Sequence, residues 1–349
     1  MLAAAMALSV NPPVSYSVTD LRVDINLASQ RLFLNDKGTV AGKGIRLPAQ
    51  NTSKGAVFIA RNGKCRFLPD DITDVGGLNN HNEAVLTSKN GLEIWRGGRF
   101  EHLPAKPSDG GMIWYWGMPV GIDDSGNVIT VAFATEGVYA VHRWPEPKTT
   151  AELTNDAIEM ASIPFAPAAM APDGSLCGSK TFGLSYKPPA GPFAFIRTAR
   201  GTKAIGDVND HLVPTCISGP HWVGGEGRLG RAGYPNKPFV WNDGKLTWLP
   251  MNGGEDDNAG VRGVDSKGTA VGSLNSVLSI PNGFENRMRA VAWFEGRLED
   301  LNDFIPKDCP LVLESAEAIN ERGQILARAV PKSEGRWPPT LVLLTPRRN

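Results

Sequence analysis

Seven times along this chain an apolar residue leads into a short polar turn and out into a strand that often ends in glycine. The copies span residues 34–42 (LNDKGTVAG), 78–86 (LNNHNEAVL), 122–130 (IDDSGNVIT), 170–178 (MAPDGSLCG), 217–225 (ISGPHWVGG), 264–272 (VDSKGTAVG) and 319–327 (INERGQILA). Their first residues lie 44, 44, 48, 47, 47 and 55 positions apart. A sustained period in the forties marks a repeat architecture. The fifth residue of the copy carries the geometry: Gly38, Gly126, Gly174, Gly268 and Gly323 in five copies, Asn82 and His221 in the others. A type I turn followed by a left-handed residue wants glycine there, because a Cβ crowds the backbone at positive φ. Asn and His are among the non-glycine residues enriched at positive φ, so both departures are expected to suit the same turn.

Each copy is followed by a third apolar strand, such as AVFI at 56–59 or AVAW at 290–293. Several of these meet a tight turn, Asn62-Gly63, Gly97-Gly98, Asp243-Gly244 or Glu295-Gly296, and then a fourth short strand. Four antiparallel strands in forty-odd residues describe a propeller blade. The first strands are rich in Gly and Ala, as inner strands crowded around a channel require. The expected fold is therefore all-β, a seven-bladed β-propeller formed by residues 15–349 as a single domain. Asn155 to Met160 would make one helical turn in a connection. The last copy stops before a fourth strand, whereas residues 17–21 (SVTDL) look like an orphan outer strand. The N-terminal strand is thus expected to close the last blade, which removes two open edges.

Lys plus Arg and Asp plus Glu are both 36, and this balance gives no sign of nucleic acid or an anionic membrane as partner. No apolar run of about 18 residues could span a bilayer. Residues 1–14 read as an apolar leader or a signal remnant, although they lack a basic n-region. Cys65, Cys177, Cys216 and Cys309 fall in four different units without C-x-x-C spacing, so no metal site is expected. A Cys177–Cys216 bridge between neighbouring blades stays open.

The string AEAINERGQILA at 316–327 resembles the HAF-type bacterial repeat, in which an Ala-x-x-Ile-Asn-x-x-Gly segment precedes a His-Ala-Phe-x-Trp strand. Residues 263–272 followed by RAVAW at 289–293, and the ending LLTP at 343–346, are similar to the same family. No copy has the His-Ala-Phe triplet intact. The resemblance implies export, hence an extracellular or periplasmic location with the cytoplasm as alternative, and implies no established activity.

Function in such a scaffold concentrates in loops at one face. The loops after the second strand are long in units four to seven. They and the connections beside them carry Tyr186, Arg228, Arg231, Tyr234, Phe284, Arg287, Trp337, Asp256 and Asp257, the expected ligand-binding set. Asn282 and Arg289 stand among them, and Trp114, Tyr115 and Trp116 read as packing between blades. Aromatics beside arginines and carboxylates suit the stacking and hydrogen bonding of sugar rings, or a protein surface. The five histidines are scattered, and no G-x-S-x-G, H-E-x-x-H or phosphate-loop motif occurs. The expected function is a non-catalytic binding or scaffold propeller, monomeric, with no cofactor. The alternative is a glycan-active enzyme, a glycosidase or lyase, using crater carboxylates such as Asp256, Asp257 or Glu226.

Overall fold

A computed structural model describes residues 15–25, 31–45, 55–103, 118–133, 139–144, 158–163, 166–179, 194–207, 210–229, 236–251, 257–280, 283–333 and 339–347. The chain opens with β1 (Ser15–Asp24). A first sheet follows: β2 (Phe33–Leu34), β3 (Val40–Gly44), β4 (Ala56–Arg61) and β5 (Lys64–Phe67). The second holds β6 (Ile72–Leu78), β7 (Ala84–Ser88), β8 (Gly91–Arg96) and β9 (Arg99–His102). The third holds β10 (Met118–Ile122), β11 (Val128–Phe133), β12 (Tyr139–Trp144) and β13 (Ile158–Ile163). The fourth is β14 (Ala166–Met170), β15 (Leu176–Ser179), β16 (Ala194–Thr198) and β17 (Gly201–Ile205). The fifth is β18 (Asp210–Ser218), β19 (Trp222–Leu229), β20 (Lys237–Asn242) and β21 (Lys245–Trp248). The sixth is β22 (Asn258–Val264), β23 (Ala270–Ile280), β24 (Gly283–Phe294) and β25 (Arg297–Asp300). In the last sheet β26 (Leu311–Ile319), β27 (Ile325–Pro331) and β28 (Thr340–Arg347) are completed by β1, which pairs antiparallel with β28 from Ser15↔Arg347 to Asp24↔Thr340.

The fold is an all-β propeller, and the expected blade count is corrected. The fold is assigned six blades, not seven, whereas hydrogen bonding divides the described strands into seven four-stranded sheets. The two counts differ by one sheet. A repeated turn counts hairpins, which are local. Blade number belongs to radial packing, which a hairpin motif does not fix by itself. The strand pairings, rather than a blade number, position everything below.

The apolar core lies between neighbouring sheets. Tyr16, Val271, Ala292 and Val342 are buried together where the last sheet meets the sixth. Val23, Val40, Phe58 and Leu341 bury where it meets the first. Inner strands approach closely enough that a Cβ on Gly263 would sit 2.7 Å from the Ile319 nitrogen and 2.9 Å from the Ala318 Cα. This accounts for the small residues of the first strands.

The turns behave as the repeat requires, with one exception. Gly38, Gly126, Gly174, Gly268 and Gly323 have φ between 73° and 84°, and Asn82 has φ 63°. His221 does not adopt positive φ; in that copy Gly219 does, at 57°. Pro220 explains the shift, because its ring fixes φ near −65° and recasts the turn around the preceding glycine. The helical turn expected over residues 155–160 is also corrected: Ile158 onward belongs to β13, which pairs with β12.

Candidate functional site

The first strands of the sheets leave a central passage with two cavities along it. Phe33, Leu34, Met170, Ile217, Val264 and Ile319 border both, forming an apolar collar between them. The first cavity, about 740 Å³, is the size of a small-ligand pocket. Its walls carry Arg31, Arg262, Glu314, Glu317 and Arg328, with hydroxyls from Thr215, Ser273 and Ser315. The second, about 700 Å³, opens among the repeat turns, bordered by Asp36, Asn80, Asp173, His221, Trp222 and Glu321.

Glu314 and Glu317 come from one strand, β26. Residues three apart on a regular strand face opposite ways. Here the register against β27 shifts between Leu313 and Ser315 and again between Ala316 and Ala318, and such bulges re-aim side chains. Both carboxylates therefore reach the same cavity. The Arg328 Nε lies 2.7 Å from Glu317 Oε1 but without hydrogen-bond alignment at Nε. Both side chains of that pair are nearly buried, at 12% and 11% exposure. Burial pushes the Glu314 carboxyl above its ordinary value, and Arg328 offsets this in part. Arg31 donates from Nη1 to the Pro119 carbonyl at 2.8 Å, crossing from the first sheet to the third. Arg262 is exposed in the wall and makes no ion pair with a described residue. The cavity thus combines one neutralised ion pair, one carboxyl biased toward its neutral form and two further cations.

The turn-side cavity is bordered by a hydrogen-bonded belt. The Asn320 amide donates to the Asn35 carbonyl at 2.8 Å, Asn35 to the Asn79 carbonyl at 2.8 Å, and Asn79 to the Asp123 carbonyl at 2.9 Å. One position on, Asp36 accepts from the Glu321 N–H, and Asn80 accepts from the Asp36 N–H. Ser218 and Ser266 donate to the Glu321 carboxylate. These polar groups are engaged in joining turns to one another.

The expected ligand set is only partly described. Tyr186, Arg231, Tyr234, Asp256 and Trp337 lie outside the described residues, as do Asn282, Trp114, Tyr115, Trp116 and the side chain of Phe284. Arg228 is exposed and donates to Asn236 Oδ1 at 2.8 Å. Arg287 is exposed. Asp257 is buried, 3% exposed, and accepts from the Ser276 hydroxyl at 3.1 Å. None of these three borders either cavity. Arg289 lies 3.8 Å from Asp300. The signal that marks the cavity lies in charges inside first strands and not in the loops. Arg262, Glu314 and Glu317 stood out as the polar exceptions in small, apolar segments. All four cysteines are free, Cys177 and Cys216 included. Among the described residues no group of three or more His, Cys, Asp or Glu could hold a metal ion.

An all-β propeller with a charged central cavity is the class that fold and site define. No protein-family model matches the chain, and no curated protein matches it. Among solved structures it is similar to the β-propeller domain of the trilobed protease from Pyrococcus furiosus. That match has 11% identity and a TM-score of 0.53, covering 87% of this chain and 92% of the other. It is similar also to the acylaminoacyl peptidase of Pyrococcus horikoshii, with 12% identity, a TM-score of 0.58 and 90% of this chain covered. A Mycobacterium tuberculosis puromycin-hydrolyzing peptidase matches at 13% identity and a TM-score of 0.54 over 96% of the chain. The chain spans about half the length of these two peptidases, 51% and 54%. At such identities the likeness concerns the fold alone. No helix among the described residues is long and apolar enough to cross a membrane.

Proposed function

We propose that this protein is a non-catalytic binding propeller of the HAF-repeat type, exported, whose central cavity takes an anionic group of its ligand. The observation that carries this reading is Arg262, exposed in the cavity wall without an ion partner among the described residues. Arg328 is already matched by Glu317, and Glu314 is biased toward its neutral form by burial. Arg31 and Arg262 leave the cavity an excess of positive charge, which suits a carboxylate on an acidic sugar or on a protein surface. The test is an array of uronic-acid oligosaccharides and acidic peptides, followed by calorimetry on what binds. Arg262→Ala should weaken binding about tenfold or more without moving the melting temperature, since it removes a charge-assisted contact from an exposed side chain. Unchanged affinity would remove the cavity from the account. Binding should also weaken as pH climbs through the folded value of Glu314, because the carboxylate formed there repels an anion, and Glu314→Gln should flatten that profile.

A glycan-active reading draws on the same two carboxyls, Glu314 held toward the acid form by burial and Glu317 paired with Arg328. Release of reducing sugar from a bound oligosaccharide, abolished by Glu314→Gln, would favour it over binding alone.

A further inference from the structure

The sixth sheet does not end where its neighbours end. β22 pairs with β23 no further than Asn258↔Asn275, and β25 pairs with β24 only from Val291↔Asp300 to Phe294↔Arg297. β23 and β24 continue together beyond both, from Ser276↔Arg287 to Ile280↔Gly283. The outer edge of β24 is left open because β25 stops at Asp300. That side chain accepts from the Asn302 N–H, capping a short 3-10 helix, Leu301–Phe304, and Asn302 ties the helix to Leu313 of β26. Among the described residues no strand pairs with the outer edge of β24 between Gly283 and Ala290. At roughly 3.4 Å per residue this edge is about 20 Å long. A row of unpaired backbone donors and acceptors is matched by another extended chain and is otherwise a hazard. The edge also carries Met288, one of three large hydrophobic residues exposed in the molecule's described part, and the exposed Arg287.

The sequence of this edge is complementary to itself when reversed. Residues 284–288 read Phe-Glu-Asn-Arg-Met. In an antiparallel register centred on Asn286, Glu285 of one copy stands opposite Arg287 of the other, and Phe284 stands opposite Met288. Both charged pairs are then of opposite sign, and both apolar pairs join an aromatic ring to a thioether. Such cross-strand pairs are the favourable units of antiparallel association. A twofold axis through Asn286 uses the same patch on both copies, which closes the assembly at two.

We propose that two copies of this chain associate edge to edge through β24, about a twofold axis at Asn286. The pairing joins the two β23–β24 ribbons into one four-stranded sheet, whose Met288 also borders the first cavity. The two readings are told apart by their tests: the exchanges at Glu285 and Arg287 read association of the chain, whereas Arg262→Ala in the cavity wall reads ligand affinity.

Sedimentation equilibrium of the full chain, from about 1 to about 300 µM protomer, tests it. The wild type should pass from the 37.5 kDa protomer toward a dimer as concentration rises. Arg287→Glu alone and Glu285→Arg alone should each weaken the dimer at least about tenfold, since each sets like charges opposite one another. The two single variants mixed in equal amounts should form a heterodimer, and the double exchange should restore the homodimer. Melting temperatures of the monomeric forms at low concentration, equal to wild type, would show that the fold is intact. A wild type monomeric throughout the range would overturn the proposal. So would a dimer indifferent to both single exchanges, or one that neither the mixture nor the double exchange restores.

Discussion

Five repeat copies place Asn35, Asn79, Asp123, Asp265 or Asn320 at their second position, and each side chain braces its own turn. Asn35 Oδ1 accepts from the Lys37 and Thr39 N–H groups, and Asp265 Oδ1 accepts from Lys267 and Thr269 in the same way. Such turns explain why Asn and Asp recur there as much as the glycine that follows. The amide adds what a carboxylate cannot, a donor toward the next turn, as Asn320 shows toward Asn35. Asp265 is buried, 3% exposed, and burial pushes its carboxyl up while the Thr269 and Lys267 N–H groups pull it down. A carboxyl that holds its proton more tightly in the folded state contributes stability below its ordinary pKa. That contribution is lost as pH rises through the folded value. Asp265→Asn keeps the acceptor, removes the buried charge and gains a donor that can reach the Asn320 carbonyl. It should raise the melting temperature at pH 7 by about 2 °C and do little near pH 4, read by calorimetry at both pH values. A lower melting temperature at pH 7 would show that the ionised form is the one the turn needs.

At the scale of the element, the hairpin was legible and its surroundings were less so. Gly38 and its counterparts carry their conformation in their identity, because few other residues tolerate positive φ. His221 did not, because Pro220 beside it decides the turn and a single-position rule ignores the neighbour. The cavity is hidden in the sequence for a related reason. Two register shifts in β26 bring Glu314 and Glu317 to one side, and alternation alone would have separated them. The close approach of inner strands was legible in their small residues and gives a sharp comparison. Gly263→Ala forces a Cβ against the backbone of Ile319 and Ala318, so the sheets must part, at a cost of about 1–3 kcal/mol or more. Gly296→Ala meets nothing within 4 Å and suffers only the strain of φ 76°, about 1 kcal/mol. Urea unfolding of the two variants should rank Gly263→Ala as the more damaging, and the opposite order would mean that the inner strands have room to spare.

At the scale of the molecule, the chain ends are one structural unit. Tyr16 and Leu21 of β1 are buried at 1% and 2% exposure, in separate cores on either side of the last sheet. The Ser17 hydroxyl donates to the Thr345 carbonyl across 328 residues, and Asn320 reaches Asn35 across 285. The periodicity of the turns pointed to a propeller, and the missing fourth strand of the last copy pointed to its closure. The number of blades was not decided by counting turns. Ligand identity was not legible because the residues that make the cavity are brought together from six sheets, with no common spacing in the chain. Amide hydrogen exchange across the closing seam tests the account most directly. Val18 and Asp20, paired with Leu344 and Val342, should exchange only with global unfolding, as slowly as the amides of β26 and β27. Amides of β1 that exchange orders of magnitude faster, while β26 to β28 stay protected, would show that the ring holds without its N-terminal strand and would contradict the closure described here.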